Sequence, residues 1–183
     1  MTTVEGRGDP AVARIVFLDI EASSLDADSW PVEIGAAWID DDEISVVSSL
    51  IRPDPDWPRS AWSSASASIH AIAEVELEMA PRAAEVAAHF AALLQGALVV
   101  SDAPAWDGYW LRRLLATLDP APRIAVRDFE VVAHVAFSHQ ARPTVHEYLA
   151  RSRSPHRAGP DARRLAAAWR AGLRAERRLS GGG

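Results

Sequence analysis

The chain has 183 residues, 49% of them hydrophobic and 24% charged, a length and balance suited to one folded domain with a single substantial core. It has no cysteine, which excludes disulfides, zinc–thiolate sites and thiol catalysis and accords with a reducing compartment. The net charge of −6 argues against a polyanionic partner, yet Arg151 to Arg178 sets nine arginines against Asp161 and Glu176 alone. An acidic body beside a basic segment suits a protein whose carboxylates hold divalent cations, because bound cations offset acidic charge locally.

Met1 to Pro10 is polar and lacks the basic start and apolar stretch of a signal peptide. The most apolar window, Ala83 to Val100, is broken by His89, Gln95 and Gly96, so no membrane span is expected and the predicted location is cytoplasmic. Residues 1–13 and 179–183 read as flexible ends around a single domain over 14–178.

Along the chain, Arg14 to Ile20 is a short apolar run of the kind found in buried strands. Val32–Ile39 and Glu43–Ile51 form a meander about the acidic turn Asp40-Asp41-Asp42. Arg52 to Ser68, rich in Pro, Ser and Trp, reads as an irregular loop. A helix follows, with Pro81 in its first turn, Ala83, Val86, Ala87, Phe90, Leu93 and Leu94 at helical spacing, and Gly96 at its end. Ala97–Ser101 is a fourth strand, and Leu111, Leu114, Leu115 and Leu118 stripe the next helix. Arg123–Asp128 reads as a fifth strand, and Thr144 with Glu147 as the capping box of a short helix. Pro160 opens a last helix with Leu165, Ala168, Trp169, Gly172 and Leu173 on one face. Strands first, then helices and strands in alternation, predict an α/β fold: a central mixed five-stranded sheet flanked by helices.

Three groups of residues carry chemistry. Asp19 and Glu21, two apart at a strand end, project to the same face. Carboxylates that close raise each other's pKa unless a cation intervenes, and a hard divalent ion is the natural one. Asp107 lies just ahead of the leucine stripe at a helix start, where an acid is also a good opening residue, and Asp102 at the preceding strand end competes for the same role. His156 and Asp161 would diverge on one helix, but Gly159-Pro160 puts the helix start near 160, leaving His156 on a loop and Asp161 in the first turn. An imidazole there suits general-base work near neutral pH.

Taken in order, Phe17-Leu18-Asp19-Ile20-Glu21, Trp106-Asp107 with Leu111, and His156 with Asp161 resemble the DnaQ-like, DEDDh class of 3′–5′ exonucleases, which have a ribonuclease H-like fold. The resemblance runs from about Arg14 to Trp169. Trp30 to Gly35 looks like the family's second strand, Ile69-His70-Ala71-Ile72 like its substrate-side loop, and Asp128 like an acid after its fifth strand. Ala22-Ser23-Ser24 departs from the family's Thr-Thr-Gly, Ser101-Asp102 from its His-Asn, and Gly159-Pro160 from its better helix formers.

The resemblance implies two Mg²⁺ or Mn²⁺ ions, with Asp19 bridging them, Glu21 and Asp161 completing the first site, and Asp107 orienting metal-bound water. It makes Asp107, rather than Asp102, the fourth carboxylate, and His156 the base that deprotonates the attacking water. The substrate is then single-stranded DNA or short RNA, contacted near Ala22, Ser23, His70 and Trp106, with Trp62, His70 and Trp106 as stacking surfaces. The products are nucleoside 5′-monophosphates, and a homodimer is left open. The rival readings are a non-catalytic nucleic-acid-binding module on the same fold and a phosphohydrolase of small nucleotides.

Overall fold

The central strand, β1 (Ile15–Ala22), divides its side chains by parity: Val16, Leu18 and Ile20 enter one apolar layer and Phe17 the other. Successive strand residues point to opposite faces, so Asp19 and Glu21 stand on the Phe17 face. The computed structural model describes residues 14–181, and the expected flexible stretch 1–13 lies outside them, as do residues 182 and 183.

β2 (Pro31–Asp40) and β3 (Glu43–Leu50) form the expected antiparallel pair. Asp41 and Asp42 have φ of 47° and 70°, as a two-residue hairpin turn with both central residues left-handed requires. The segment expected to be loop is irregular only to Ser63, apart from a 3₁₀ turn at Arg59–Ala61. Ser63 caps α1 (Ser64–His70), its hydroxyl accepting from the Ser66 amide at 3.4 Å. The serines that suggested a loop thus include a helix start.

A single turn, α2 (Glu74–Leu77), leads to α3 (Ala83–Leu94). Pro81 precedes that helix instead of entering its first turn, and Gly96, with φ of 73°, follows its end. β4 (Leu98–Ser101) and α4 (Pro104–Leu115) come next, with Pro104 opening the helix and Asp107 in its first turn. β5 is only Val126–Asp128, half the predicted strand. Asp128 caps an unexpected helix, α5 (Phe129–Ala136), accepting from the Val131 amide at 3.0 Å.

α6 (Arg142–Arg151) begins two residues before Thr144, which therefore cannot cap it; its N-cap position is Ala141, whose side chain makes no capping bond. α7 (Ala158–Ser180) starts at Ala158, not Pro160, and runs to Ser180, so Leu179 and Ser180 belong to a helix and not to a loose end. Leu165, Ala168, Trp169 and Gly172 are buried along α7, whereas Leu173 turns outward.

The five strands order as β3-β2-β1-β4-β5, with β1, β4 and β5 parallel and β2 antiparallel to both its neighbours. One apolar layer joins the sheet to α3 and α4, and the other joins it to α5, α6 and α7. Under α7, Phe17, Phe129, Phe137 and Trp169 pack with ring centroids 4.6 to 6.1 Å apart. A Cβ on Gly35 would lie 2.2 Å from the Ala158 carbonyl, and one on Gly159 2.9 Å from Ser48. Both positions need glycine so that the start of α7 can rest directly on β2 and β3. No helix among the described residues is long and apolar enough to cross a membrane.

Candidate active site

β1 and β4 pair only from Ile15↔Leu98 to Phe17↔Val100, and beyond that the two strands part at their carboxyl ends. Such a divergence of parallel strands leaves a crevice where α/β sheets bind ligands. Here α4 fills part of it: the Ile20 amide, without a strand partner on that side, donates to Asp107 Oδ1 at 3.1 Å. The Ser101 hydroxyl donates a short bond to Asp107 Oδ2 and accepts from the Ala103 amide at 2.9 Å. Asp107 is thereby fully enclosed and fixed from both strands.

From the opposite face, α7 brings Asp161 over β1. Ligand atoms of Asp19, Glu21 and Asp161 lie within 4.8 Å of one another, and so do those of Asp19, Asp102 and Asp107. Asp19 joins both groups. The expected quartet of Asp19, Glu21, Asp107 and Asp161 is therefore assembled, and Asp102 stands with it instead of being displaced by Asp107. Asp102 also faces Arg164, 3.8 Å away.

So many acids in one crevice hold protons tightly. Burial, then the charges of Asp107, Glu21, Asp161 and Asp102, push Asp19 well above the ordinary carboxylate range. Burial and the neighbouring Asp161 and Glu33 raise Glu21 to about 7, with Arg157 opposing them. Burial likewise raises Asp107 to about 7, against the Ser101 and Ile20 hydrogen bonds that favour its anion. Burial raises Asp102 too, and Arg164 opposes it.

One oxygen is conspicuous. Asp161 Oδ2 accepts from the Arg157 amide at 3.1 Å, but buried Oδ1 has no partner among the described residues. A buried oxygen without a donor is costly unless a cation completes it. The donor set is all carboxylate, which fits Mg²⁺ or Mn²⁺ and not a soft metal.

His156 is on the loop before α7, as expected, with φ of 53° and an exposed side chain. It lines a cavity of about 240 Å³ together with Glu21, Ala22, His70, Leu25, Ile69 and Trp110. His70 is buried there; its Nδ1 accepts from the Ile72 amide at 3.1 Å, and burial holds its pKa below the ordinary value.

Ser23 is fully buried and its hydroxyl accepts from the Trp30 amide at 3.0 Å, while Ser24 lines the cavity. Trp106, 40% exposed, stacks on Trp110 with centroids 5.3 Å apart, and it is Trp110 that lines the cavity. Trp62 stacks on Trp30 and backs His70 edge-on.

The sequence reading missed Leu25, which stands 66% exposed at the cavity beside Ile69 of the expected substrate-side loop, itself 58% exposed. It also missed the ion pair of Glu33 with Arg157, 2.9 Å long, although a lone acid between Val32 and Ile34 in an apolar strand signals a buried partner.

A mixed sheet in this order, flanked by helices and carrying acids where β1 and β4 part, is the ribonuclease H-like architecture of exonucleases. Residues 16–169 match the Exonuclease family of RNase T type, and the chain belongs to that family. Exonuclease I from Methylocaldum szegediense is 15% identical with a TM-score of 0.67 over 92% of this chain, which spans only 42% of that protein. The nuclease domain of 3′hExo, a DEDDh member determined with rAMP, gives 16% identity and a TM-score of 0.65 over 91% of this chain and 94% of its own. Exonuclease X, determined with 5′-overhanging duplex DNA, gives 19% and 0.57, covering 88% and 95%. Among curated proteins, no match to this sequence was found.

Proposed function

We propose that the chain is a metal-dependent 3′→5′ exonuclease that trims single-stranded nucleic acid to nucleoside 5′-monophosphates. The observation that carries this is the convergence of Asp19, Glu21 and Asp161, with the unpartnered Asp161 Oδ1, beside a cavity that His156 also lines.

Asp19, Glu21 and Asp161 would hold one Mg²⁺ or Mn²⁺ ion, and Asp19 with Asp107 a second. When bound, such ions lower the pKa of the attacking water and offset charge developing at the phosphate. His156, on its loop beside Glu21, takes the proton from that water. Asp107, clamped by Ser101 and Ile20, orients water at the Asp19 end of the cluster. Leu25 and Ile69 present apolar faces on which terminal bases stack without sequence readout. The cavity is small, which favours a chain end over an internal phosphodiester.

The test uses single-stranded DNA and RNA oligonucleotides labelled at the 5′ end, with Mn²⁺ or with EDTA. The expected result is a ladder shortening from the 3′ end, nucleoside 5′-monophosphate release, and no reaction in EDTA. Internal cuts, shortening from the 5′ end, or metal-independent turnover would refute the reading.

A further inference from the structure

Glu33 is enclosed near the start of β2, 3% exposed, directly across the ladder from Glu21. An acid buried between Val32 and Ile34 is expensive unless strong donors meet it. Three do. Oε2 accepts from Arg157 Nε and from the Ala158 amide, both at 2.9 Å, and Oε1 accepts from an Arg157 terminal nitrogen at 2.9 Å. The guanidinium is gripped by both carboxylate oxygens, a geometry that fixes direction as well as distance.

These bonds close on the start of α7, where the opening amides have no helical partner. The Ala158 amide goes to Glu33 and the Arg157 amide goes to Asp161 Oδ2. Arg157 is thus held by its side chain on one strand and by its backbone on the proposed metal ligand. Its neighbour His156 leaves it in a left-handed conformation, so the direction of the imidazole follows from where Arg157 is fixed. Gly35, two residues along the same face of β2, removes the Cβ that would strike Ala158.

We propose that Glu33 is a positioning residue: it seats Arg157 and the first turn of α7, so that Asp161 Oδ1 faces Asp19 and Glu21 and His156 faces the cavity. The inference rests on the proposed nuclease reading for its kinetic arm only. Metal affinity supplies an independent arm, because groups behind metal ligands tune affinity through orientation.

The experiment compares the full-length wild type with Glu33→Gln, Arg157→Lys and the double variant. Gln keeps the size but loses the charge and one acceptor, and Lys keeps the charge but loses the fork. Mn²⁺ affinity by calorimetry, kcat and KM on a 5′-labelled oligonucleotide, and the thermal midpoint are measured for each. In Glu33→Gln, Mn²⁺ affinity and kcat should each fall about 10- to 100-fold, with KM within about twofold. Arg157→Lys should show a smaller fall, and the double variant should lose no more than Glu33→Gln, since both act through one contact.

A clamp that served stability alone would lower the midpoint and leave Mn²⁺ affinity and kcat of the folded protein unchanged; that result overturns the proposal, as do additive losses. If Glu33→Gln does not fold, Arg157→Lys carries the test, and wild-type affinity and kcat there overturn it equally. A wild type that binds Mn²⁺ but degrades no oligonucleotide overturns the nuclease reading and leaves this one to be judged on affinity. A wild type that binds no Mn²⁺ overturns both.

Discussion

The crowded carboxylates make the metal-free protein sensitive to pH in an unusual direction. Glu21 sits at about 7 instead of 4.5, so the folded chain holds its proton more tightly than the unfolded chain does. The stability this contributes is fully present below pH 4.5 and is lost as pH rises through about 7. The displacement corresponds to at most about 3.4 kcal/mol, and because Glu21 is partly open to solvent about 2 kcal/mol is the better figure. Enclosed Asp107, also raised to about 7, and Asp19 act in the same sense. For a chain of this size, about 2 kcal/mol moves the thermal midpoint by roughly 4–8 °C. His70 works oppositely: its lowered pKa makes stability rise with pH up to about 6.5. That contribution is common to metal-free and metal-bound protein, so the difference between the two curves isolates the carboxylates. Thermal melts from pH 5 to pH 8 in EDTA and in saturating Mn²⁺ should therefore diverge by roughly 5–10 °C as pH rises. Curves that stay parallel across that range would refute the electrostatic account of the site.

The remaining predictions concern single groups. Asp161→Asn should abolish measurable hydrolysis and weaken Mn²⁺ binding at least about tenfold in a folded protein, read by calorimetry and single-turnover assay; unchanged affinity and rate would remove Asp161 from the site. Asp107→Ala should reduce turnover more than Asp102→Ala, because Asp107 is fixed by Ser101 and Ile20 whereas Asp102 is shared with Arg164; the reverse order in folded variants would make Asp102 the fourth carboxylate. His156→Ala should lower kcat by about 10²- to 10⁴-fold, abolish the rising limb of the pH–rate profile and leave oligonucleotide affinity near wild type; wild-type kcat with an unchanged profile would leave His156 outside the chemistry.

The strands, their meander and the pairing of Asp19 with Glu21 were legible because each rests on local periodicity: residues two apart share a face of a strand wherever that strand lies. The separation of His156 from the helix of Asp161 was legible for the same reason, since Gly159-Pro160 marks a helix start within two residues. What escaped depends on partners distant in sequence. Asp102 joins the cluster because β4 carries it beside Asp19, 83 positions away in the numbering. The burial of Ser23 could not be read from its place after Glu21, because the Trp30 amide that meets its hydroxyl arrives only once the chain turns back into β2. The capping box at Thr144 failed on a two-residue shift of the helix start, which falls at Arg142 with Pro143 in the first turn.

Charge shows most clearly why composition alone misleads here. The arginine-rich segment suggested a surface for a polyanion, but its residues are largely occupied within the fold. Arg157 is held by Glu33, and Arg164 faces Asp102 and donates to the Ser152 and Leu149 carbonyls. Arg174 and Arg177 both grip Asp42 in the β2–β3 turn, where Arg170 also donates to the Asp42 carbonyl. Thus α7 is fastened at its start, near its first turn and toward its end, with acids of the sheet supplying the counter-charges at both extremes. Among the described residues, no arginine side chain forms an ion pair with Asp19, Glu21 or Asp161: the guanidinium groups of α7 secure the helix, and the only arginine contact to these acids is the Arg157 backbone amide on Asp161. A net charge of −6 is then compatible with a nucleic-acid substrate, because attraction at the site depends on the charge bound there and not on the sum over the chain.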